Sequence, residues 1–306
     1  MTARTAPGTT GRIATRRAAR IRRLTDPEAI RSVLETAGAY SAYALAYLDP
    51  QLFPLAEFYQ ATAGDKRALV MHARGGLGPS TFTLGEPALV GALIQLHPGQ
   101  RQAFLTCETT HVEQILDTHN LWRPQTMLRM QVNREQFVRP DLHLAANVQC
   151  RRLIDADADD LNRLYALEDD GLRYSGRQVS DGIYYGVYNR GRLIAAAGTH
   201  IFSASEGVAV VGNVFTHPDH RGHGFGTAAT AAVTEHLLHN CPLIVLNVDP
   251  ANRPARHIYD VLGYSEHGRL MEAMSTRRSS ITPIPAVRRA FARWRSGTPG
   301  VEVVEL

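Results

Sequence analysis

Residues 214–227, VFTHPDHRGHGFGT, place three glycines and Arg221 where a predicted strand runs into a predicted helix. Glycines at such a turn let backbone N–H groups point into a tight concavity. The start of the helix adds unpaired donors and the positive end of its dipole. Together these features predict a site for a pyrophosphate, with Arg221 as a fixed charge at its rim.

A Gly-rich turn alone also fits an ordinary strand-to-helix connection. The segment lacks the GxxxxGK[ST] of a P-loop and the GxGxxG of a dinucleotide site. A second segment of the sequence favours a binding site over a turn that only connects a strand to a helix. After a predicted buried strand at residues 243–248 comes NRPARHIYDVLGY, residues 252–264, which predicts a helix that stops at Gly263.

Tyr259 lies in the middle of this helix. Tyrosine is a common core residue, so Tyr259 could pack with Ile258 and Leu262. Asn252 could cap the helix, bind a ligand, or do both.

The two segments, in this order and separation, resemble the signature motifs of the GNAT superfamily of N-acyltransferases. The resemblance covers about 130 residues, 147–275, and the wording of the first motif looks most like the FR47-like branch, which includes glycine N-acyltransferase-like proteins. The first motif fits [QR]-x-x-G-x-[GA] at Arg221, Gly224 and Gly226. The second fits N-x-x-A-x-x-x-Y-x-x-x-G-[FY] at Asn252, Ala255, Tyr259, Gly263 and Tyr264.

The resemblance implies that acetyl-CoA is the acyl donor and that a primary amine, of a small molecule or a protein, attacks it directly in a ternary complex. A backbone N–H of the strand would stabilise the oxyanion, and Tyr259 would protonate the thiolate. The implied cofactor-binding residues are Val214, Phe215 and Thr216 for the pantetheine arm, the amides of Gly222, His223, Gly224, Phe225, Gly226 and Thr227 with Arg221 for the pyrophosphate, and Asn252 for the pantetheine.

The sequence does not identify the general base that would take a proton from the amine. Many relatives carry a Glu on the strand before the first motif, but residues 208–212 here are VAVVG. Glu206 precedes them in a predicted turn. His217, His220 and His223 are spaced three apart, yet no acidic or Cys partner is spaced as a fourth ligand, so we predict no metal site. Candidates that could line the cleft are His200, Asn213, Asn247 and Asp249, each of which could also be structural.

These motifs require an α+β sandwich with a mixed, mostly antiparallel sheet. Helices and strands alternate in both halves in the same order, which predicts two tandem GNAT-like domains, although coincidence would explain the order too. In the first half Glu86 and Pro87 replace the Gly-rich turn, so we expect no cofactor site there. The predicted divisions are a disordered basic tail at 1–24, a degenerate GNAT-like or accessory domain at 25–140, the catalytic domain at 147–275, and a basic C-terminal helix or tail at 276–306.

Charge, hydropathy and cysteine content bear on nucleic-acid binding, membrane insertion and the cellular compartment. Residues 1–25 hold seven Arg and no acid, and residues 276–306 hold six Arg, whereas the middle of the chain is net acidic. The basic ends therefore give no argument for a nucleic-acid-binding core. No apolar run is long enough to span a membrane. Three widely spaced cysteines fit reduced thiols and a cytoplasmic location.

The sequence leaves one further class open, a non-catalytic regulator that binds acyl-CoA. The intact second motif, with Tyr259, favours the enzyme. A basic amphipathic helix at residues 285–295 could touch a membrane or RNA, or dock on its own domain.

Overall fold

The computed structural model describes residues 18–75, 78–142, 144–167, 173–278 and 302–305. The first half runs strand, two helices, three strands, helix, strand, helix, strand. Its elements are β1 (Ala18–Leu24), α1 (Pro27–Leu34), α2 (Ala42–Ala46), β2 (Ala56–Ala63), β3 (Lys66–Ala73), β4 (Ser80–Gly85), α3 (Pro87–Leu96), β5 (Gln102–Cys107), α4 (Val112–Leu116) and β6 (His119–Val132).

The second half repeats this order element by element. Its elements are β7 (Val148–Arg152), α5 (Ala158–Tyr165), α6 (Gly176–Asp181), β8 (Tyr185–Asn189), β9 (Arg192–Ser203), β10 (Val208–Thr216), α7 (Phe225–Leu237), β11 (Leu243–Val248), α8 (Arg253–Val261) and β12 (Ser265–Arg277). A last strand, β13 (Glu302–Glu305), pairs with β1.

All strands join one sheet in the order β13-β1-β2-β3-β4-β5-β12-β6-β11-β10-β9-β8-β7. The pairs β4/β5, β10/β11 and β1/β13 are parallel. The remaining neighbours are antiparallel. The predicted α+β fold with a mixed, mostly antiparallel sheet flanked by helices is confirmed.

The two halves exchange their last strands at the centre of the sheet. Strand β12 of the second half lies between β5 and β6, and strand β6 of the first half lies between β12 and β11. The sheet therefore crosses the domain boundary that the sequence predicted between residues 140 and 147.

Helices cover both faces of the sheet. Apolar residues of α3 and α4, and of α7 and α8, pack on one face. The opposite face carries α1 and α2 of the first half, and α5 with Val179 of α6 from the second. The α2 region reaches across the boundary, because Tyr40 and Leu45 share a core with Ile201 and Val210 of the second half. The first half thus forms a wall over the second half's central strands.

The prediction of a disordered tail at residues 1–24 is wrong for residues 18–24, which form β1. Ala19 and Ile21 are buried while Arg20 and Arg22 are exposed, which is the period of a half-buried strand. Arg22 also donates to Gln60 Oε1 of β2 at 2.9 Å. The high Arg content concealed this alternation. Residues 1–17 and the predicted basic helix at 285–295 lie outside the described residues.

The turn between β8 and β9 has the backbone conformation of a two-residue hairpin turn. Arg190 and Gly191 both have positive φ, 49° and 79°, between β8 and β9, as a two-residue hairpin turn requires. Near Gly268 the register of β12 against β6 shifts, and the strand continues without an interruption.

Candidate active site

The parallel ladder between β10 and β11 ends before either strand does. It pairs Val208–Val211 with Leu243–Leu246, although β10 continues to Thr216 and β11 to Val248. Beyond Val211, β10 shifts register against β9, and Asn213 adopts a φ of 54°. The two strands therefore diverge, and the main-chain groups of residues 212–216 on that side face an opening. Val214, Phe215 and Thr216, the predicted pantetheine strand, lie along it.

The Gly-rich turn begins where the opening ends. Gly222 and Gly224 have φ of 77° and 76°, a region in which L side chains are strained. Gly224 caps α7 without a side-chain hydrogen bond, and the first helical bond is donated by Ala228 N to Gly224 O. The N–H groups of Phe225, Gly226 and Thr227 are therefore the free donors of a helix start.

Gly226 lets this helix start lie close to its neighbours. A Cβ there would lie 3.0 Å from Thr216 Oγ1 and 3.2 Å from Ile258 Cδ1. A larger residue would push α7 away from the end of β10 and from α8.

Polar side chains fix the turn. Arg221 Nε donates to Thr216 O at 3.2 Å, and its guanidinium lies 5.6 Å from the Phe215 ring centre. His223 contacts Arg221 O through Nδ1 at 2.8 Å and stacks on Phe225. His217 Nδ1 accepts from Asp219 N. Within the described residues no cluster of His, Cys, Asp or Glu is suited to hold a metal ion.

The second motif lies beside the first. Asn252 Oδ1 accepts from Ala255 N at 3.1 Å and so caps α8, which leaves the amide Nδ2 donors of this exposed residue available. Tyr259 is 5% exposed, and its ring centre lies 5.8 Å from that of Tyr264. Burial raises the pKa of Tyr259 to about 12, so the phenol is protonated at neutral pH. A protonated phenol can act as a proton donor.

Three of the four predicted cleft residues lie on the neighbouring strands β9, β10 and β11, and His200 and Asn247 share one face of the sheet. The His200 ring lies over Gly212, where an added Cβ would be 1.9 Å from His200 Nε2. Asn213 Nδ2 donates to Tyr184 Oη at 3.2 Å. Asn247 is on β11, at the edge of the opening. Asp249 lies just beyond β11, where it accepts from Gln125 at 2.7 Å. Glu206 instead binds Arg31 at 2.8 Å.

Two further residues on this face were missed by the sequence interpretation. Arg129 of β6 is paired in register with Asn247, and Glu272 of β12 accepts from Asn247 Nδ2 at 2.5 Å. Both belong to the exchanged strands, so sequence proximity to the motifs gave no signal for them.

Burial sets the charge state of this cluster. Desolvation lowers the pKa of Arg129 to about 10 and raises the pKa of the Glu272 carboxyl. Desolvation, and then the Arg129 charge, lower the pKa of His200 to about 4. The His200 side chain is nevertheless solvent-exposed. The His200 imidazole is therefore neutral at neutral pH and accessible to solvent.

In the first half, β4 and β5 diverge as β10 and β11 do, but side chains of the protein fill the space between them. The β4/β5 ladder pairs Ser80–Phe82 with Phe104–Thr106, and β4 continues to Gly85. His111 Nδ1 lies 2.9 Å from Thr83 Oγ1, and His111 Nε2 donates a hydrogen bond to Gly85 O at 2.7 Å. Tyr40 Oη donates to Thr83 O at 2.7 Å. Side chains of the protein therefore already form hydrogen bonds with the main-chain groups that an extended ligand would need.

Residues 147–264 match the model of the acetyltransferase (GNAT) family. These residues form a GNAT acetyltransferase domain. Its boundaries enclose both predicted motifs, the opening and the turn. No curated protein matches the chain at a significant level.

Solved structures extend the GNAT similarity to most of the chain. A putative GNAT acetyltransferase from Novosphingobium aromaticivorans DSM 12444 is 19% identical and covers 77% of this chain and 96% of its own, with a TM-score of 0.51. A Drosophila melanogaster protein is 15% identical, with coverages of 84% and 98% and a TM-score of 0.64. A tandem GNAT protein from the clavulanic acid biosynthesis pathway is 14% identical, with coverages of 86% and 100% and a TM-score of 0.53.

At these identities the similarities show the fold. They confirm a GNAT-like fold that spans both halves, as a tandem GNAT protein does. Assignment to the FR47-like branch stays a prediction. Within the described residues no helix is long and apolar enough to cross a membrane.

Proposed function

We propose that the chain is an N-acetyltransferase that transfers the acetyl group of acetyl-CoA to a primary amine by direct attack in a ternary complex. The observation that carries the proposal is the divergence of β10 from β11 after Val211, which ends at the left-handed turn of Gly222 and Gly224. This arrangement combines a slot for an extended arm with an anion site at its end.

Acetyl-CoA supplies the reactive thioester. The pantetheine arm would bond to the main chain of Val214, Phe215 and Thr216, and Asn252 Nδ2 would reach it from α8. The pyrophosphate would rest on the amides from Gly222 to Thr227, beside Arg221.

The amine nitrogen attacks the thioester carbon, and the carbon–sulfur bond breaks. A main-chain N–H of the diverging part of β10 stabilises the negative charge on the carbonyl oxygen. The amine nitrogen loses a proton to solvent as the amide forms, and Tyr259 gives its proton to the departing thiolate. The phenolate then takes up a proton from solvent. The products are the N-acetyl compound and coenzyme A, and no covalent enzyme intermediate forms.

One measurement separates the enzyme from a non-catalytic acyl-CoA-binding regulator. Thiol release from acetyl-CoA is followed against a broad panel of amines, alongside calorimetric titration of acetyl-CoA. Release with any amine supports the enzyme. Binding without release across the panel favours the regulator, and an absence of binding contradicts both.

We further propose that the chain binds a single acetyl-CoA, in the second half. The side chains of His111 and Tyr40 already use the main-chain groups at the first-half divergence, and Glu86 with Pro87 starts α3 in place of a Gly-rich turn. Titration of the whole chain should give one acetyl-CoA per chain, and a stoichiometry of two would contradict the proposal.

The cytoplasm suits this chemistry, since the three cysteines are free thiols and burial raises the pKa of each above its usual value. Such thiols are unreactive at neutral pH.

A further inference from the structure

A carboxylate from an exchanged strand lies beside the point where β10 and β11 separate. Glu272 is on β12, beyond the residues that match the GNAT family. Its Oε1 accepts a hydrogen bond from Asn247 Nδ2 at 2.5 Å. Asn247 is the first residue of β11 after the parallel ladder with β10, which ends at Leu246. The Glu272 carboxylate therefore lies one side chain away from the start of the opening.

The two faces of the sheet at the opening carry different groups. Leu246 and Val248 pack in one core with Tyr259, on the face that α7 and α8 cover. Because side chains alternate along a strand, Asn247 points to the opposite face, where it contacts Glu272. A thioester in the opening would thus have the Tyr259 phenol on one side and the Glu272 carboxylate on the other.

Two hydrogen-bond acceptors on the Glu272 side have no donor within the described residues. Asn247 Oδ1 is buried without a partner. Glu272 Oε2 also forms no hydrogen bond with a described residue, and it is accessible to solvent, because Glu272 is only half-buried. Unpaired acceptors on adjoining side chains suit a ligand with several N–H donors, such as the ammonium form of an amine.

The charge of Arg129 acts on both partners of a proton transfer at Glu272. Burial raises the pKa of the Glu272 carboxyl, and the charge of Arg129 partly offsets that rise. A carboxylate with a raised pKa is a stronger base. Arg129 also disfavours a second cation nearby, which lowers the pKa of a bound ammonium. The other titratable groups around this part of the face are Tyr40, Glu108, His200, Asp249, His267 and Arg269.

The other candidate bases of the second half are less suited to take a proton from an amine. Glu206 forms an ion pair with Arg31 at 2.8 Å. Asp249 accepts a hydrogen bond from Gln125 at 2.7 Å. Burial lowers the pKa of His200 to about 4, so its imidazole would hold a proton from an ammonium only weakly.

We propose that Glu272 is the general base of the acetyl transfer: its carboxylate takes one proton from the ammonium form of the acceptor, and the resulting neutral amine attacks the thioester carbon. This proposal rests on the proposed acetyltransferase function and adds the residue that activates the acceptor. The carbon–nitrogen bond then forms and the carbon–sulfur bond breaks, the second proton of the nitrogen leaves to solvent, and Glu272 releases its proton to solvent before the next turnover.

The pH dependence of Glu272→Gln tests the proposal. The variant keeps an oxygen that can accept from Asn247 but cannot take a proton. Thiol release is measured with the alkylamines that the wild type turns over. At pH 7, where an alkylamine is protonated, kcat/KM should fall by roughly 10²-fold or more. The deficit should shrink about tenfold per pH unit as the pH rises toward the pKa of the amine, because the neutral amine then needs no base.

Acceptor basicity supplies a second readout. A fluorinated analogue of each alkylamine, such as trifluoroethylamine for ethylamine, differs little in size but is mostly neutral at pH 7. Its kcat/KM should stay close to the wild-type value in Glu272→Gln. Glu272→Asp keeps a carboxylate and should recover part of the activity with the alkylamines.

Two further variants separate base catalysis from a structural role. Glu266→Gln is the matched control, since Glu266 lies exposed on the same strand, 3.9 Å from Arg269, and its loss should leave every rate unchanged. Glu272→Gln leaves Arg129 without its counter-charge, which can lower the Tm. The double variant Arg129→Met/Glu272→Gln removes both charges and should fold, bind acetyl-CoA with unchanged Kd and keep the same pH dependence.

The outcomes distinguish the base from the proposed function. Wild-type activity of Glu272→Gln would overturn the proposal and leave the acetyltransferase function standing. A loss that is the same at every pH and for alkylamine and fluorinated analogue would overturn it too, because such a loss reflects a structural role. An absence of thiol release by the wild type with any amine contradicts the proposed function, and the assignment of Glu272 falls with it.

Discussion

Tyr259→Phe isolates the chemical step because it removes a single oxygen atom. The Tyr259 ring is buried and packed against Tyr264, so phenylalanine fills the same space. If the phenol protonates the departing thiolate, kcat should fall by roughly 10²-fold, equivalent to about 2.7 kcal/mol of barrier. The Kd of acetyl-CoA should stay constant, because the thiolate exists only late in the reaction.

The pH profile gives the same prediction a second signature. Burial raises the pKa of Tyr259 to about 12. At pH 9 a phenol with an ordinary pKa of about 10 would be roughly 10% ionised, whereas one with a pKa of about 12 would be roughly 0.1% ionised. Loss of the Tyr259 proton should therefore not lower the kcat of the wild type below about pH 11.

The assay is the steady-state rate of thiol release, with acetyl-CoA affinity measured by calorimetry. Tyr264→Phe is the matched control, since the Tyr264 hydroxyl bonds to Thr234 at 2.8 Å within the core. The control should lose about 1 kcal/mol of unfolding free energy and keep its kcat. A Tyr259→Phe enzyme with wild-type kcat would mean that solvent protonates the thiolate and that Tyr259 only packs.

Three further predictions test the site and the fold. Gly224→Glu should abolish acetyl-CoA binding in calorimetry while circular dichroism stays native, because it sets bulk and negative charge against the pyrophosphate; unchanged affinity in the folded variant would refute the assignment. Gly263→Ala should lower unfolding free energy by about 2 kcal/mol or more in urea titration, since its Cβ would lie 2.0 Å from Gln136 O at a φ of 86°. Gly191→Ala, with a φ of 79° but no atom within 4 Å, should cost only about 1 kcal/mol, and equal losses would show that strain alone decides. The Arg151 hydrogen bond lowers the pKa of Asp157 to about 2, so its stabilisation is present above about pH 4 and disappears as the pH falls toward 2. Asp157→Asn should lose about 2 kcal/mol at pH 7 and show a flatter decline over that window; an identical pH dependence would contradict the linkage.

The sequence predicts those helix ends, helices and strands whose conformation depends on neighbouring residues in the chain. The start of α7 after Gly224 and the stop of α8 at Gly263 depend on backbone conformations that few residues other than glycine adopt easily. The apolar run of β11 and the Ala-rich α7 likewise carry their own periodicity. These elements lie where the sequence places them, and with them the two motifs.

Long-range pairing could not be predicted in the same way. Nothing in residues 119–132 indicates that β6 will lie between β11 and β12, more than 100 residues later in the chain. Arg129 was therefore not recognised as part of the site, because its surroundings come from the partner strands. The alternation of β1 was likewise concealed, because its exposed positions are arginines that the composition assigned to a tail.

The exchanged strands have a consequence for synthesis of the chain. Strand β6 leaves the ribosome with its eventual neighbours unmade, because β11 begins 111 residues after β6 ends. At about 5–20 residues per second that delay is roughly 5–20 s. During it, the edges of β5 and β6 offer unpaired N–H and C=O groups to other chains, which is the condition that favours aggregation. A nascent first half should therefore depend on chaperones until β12 is made, and a gene truncated before β11 should yield an insoluble product.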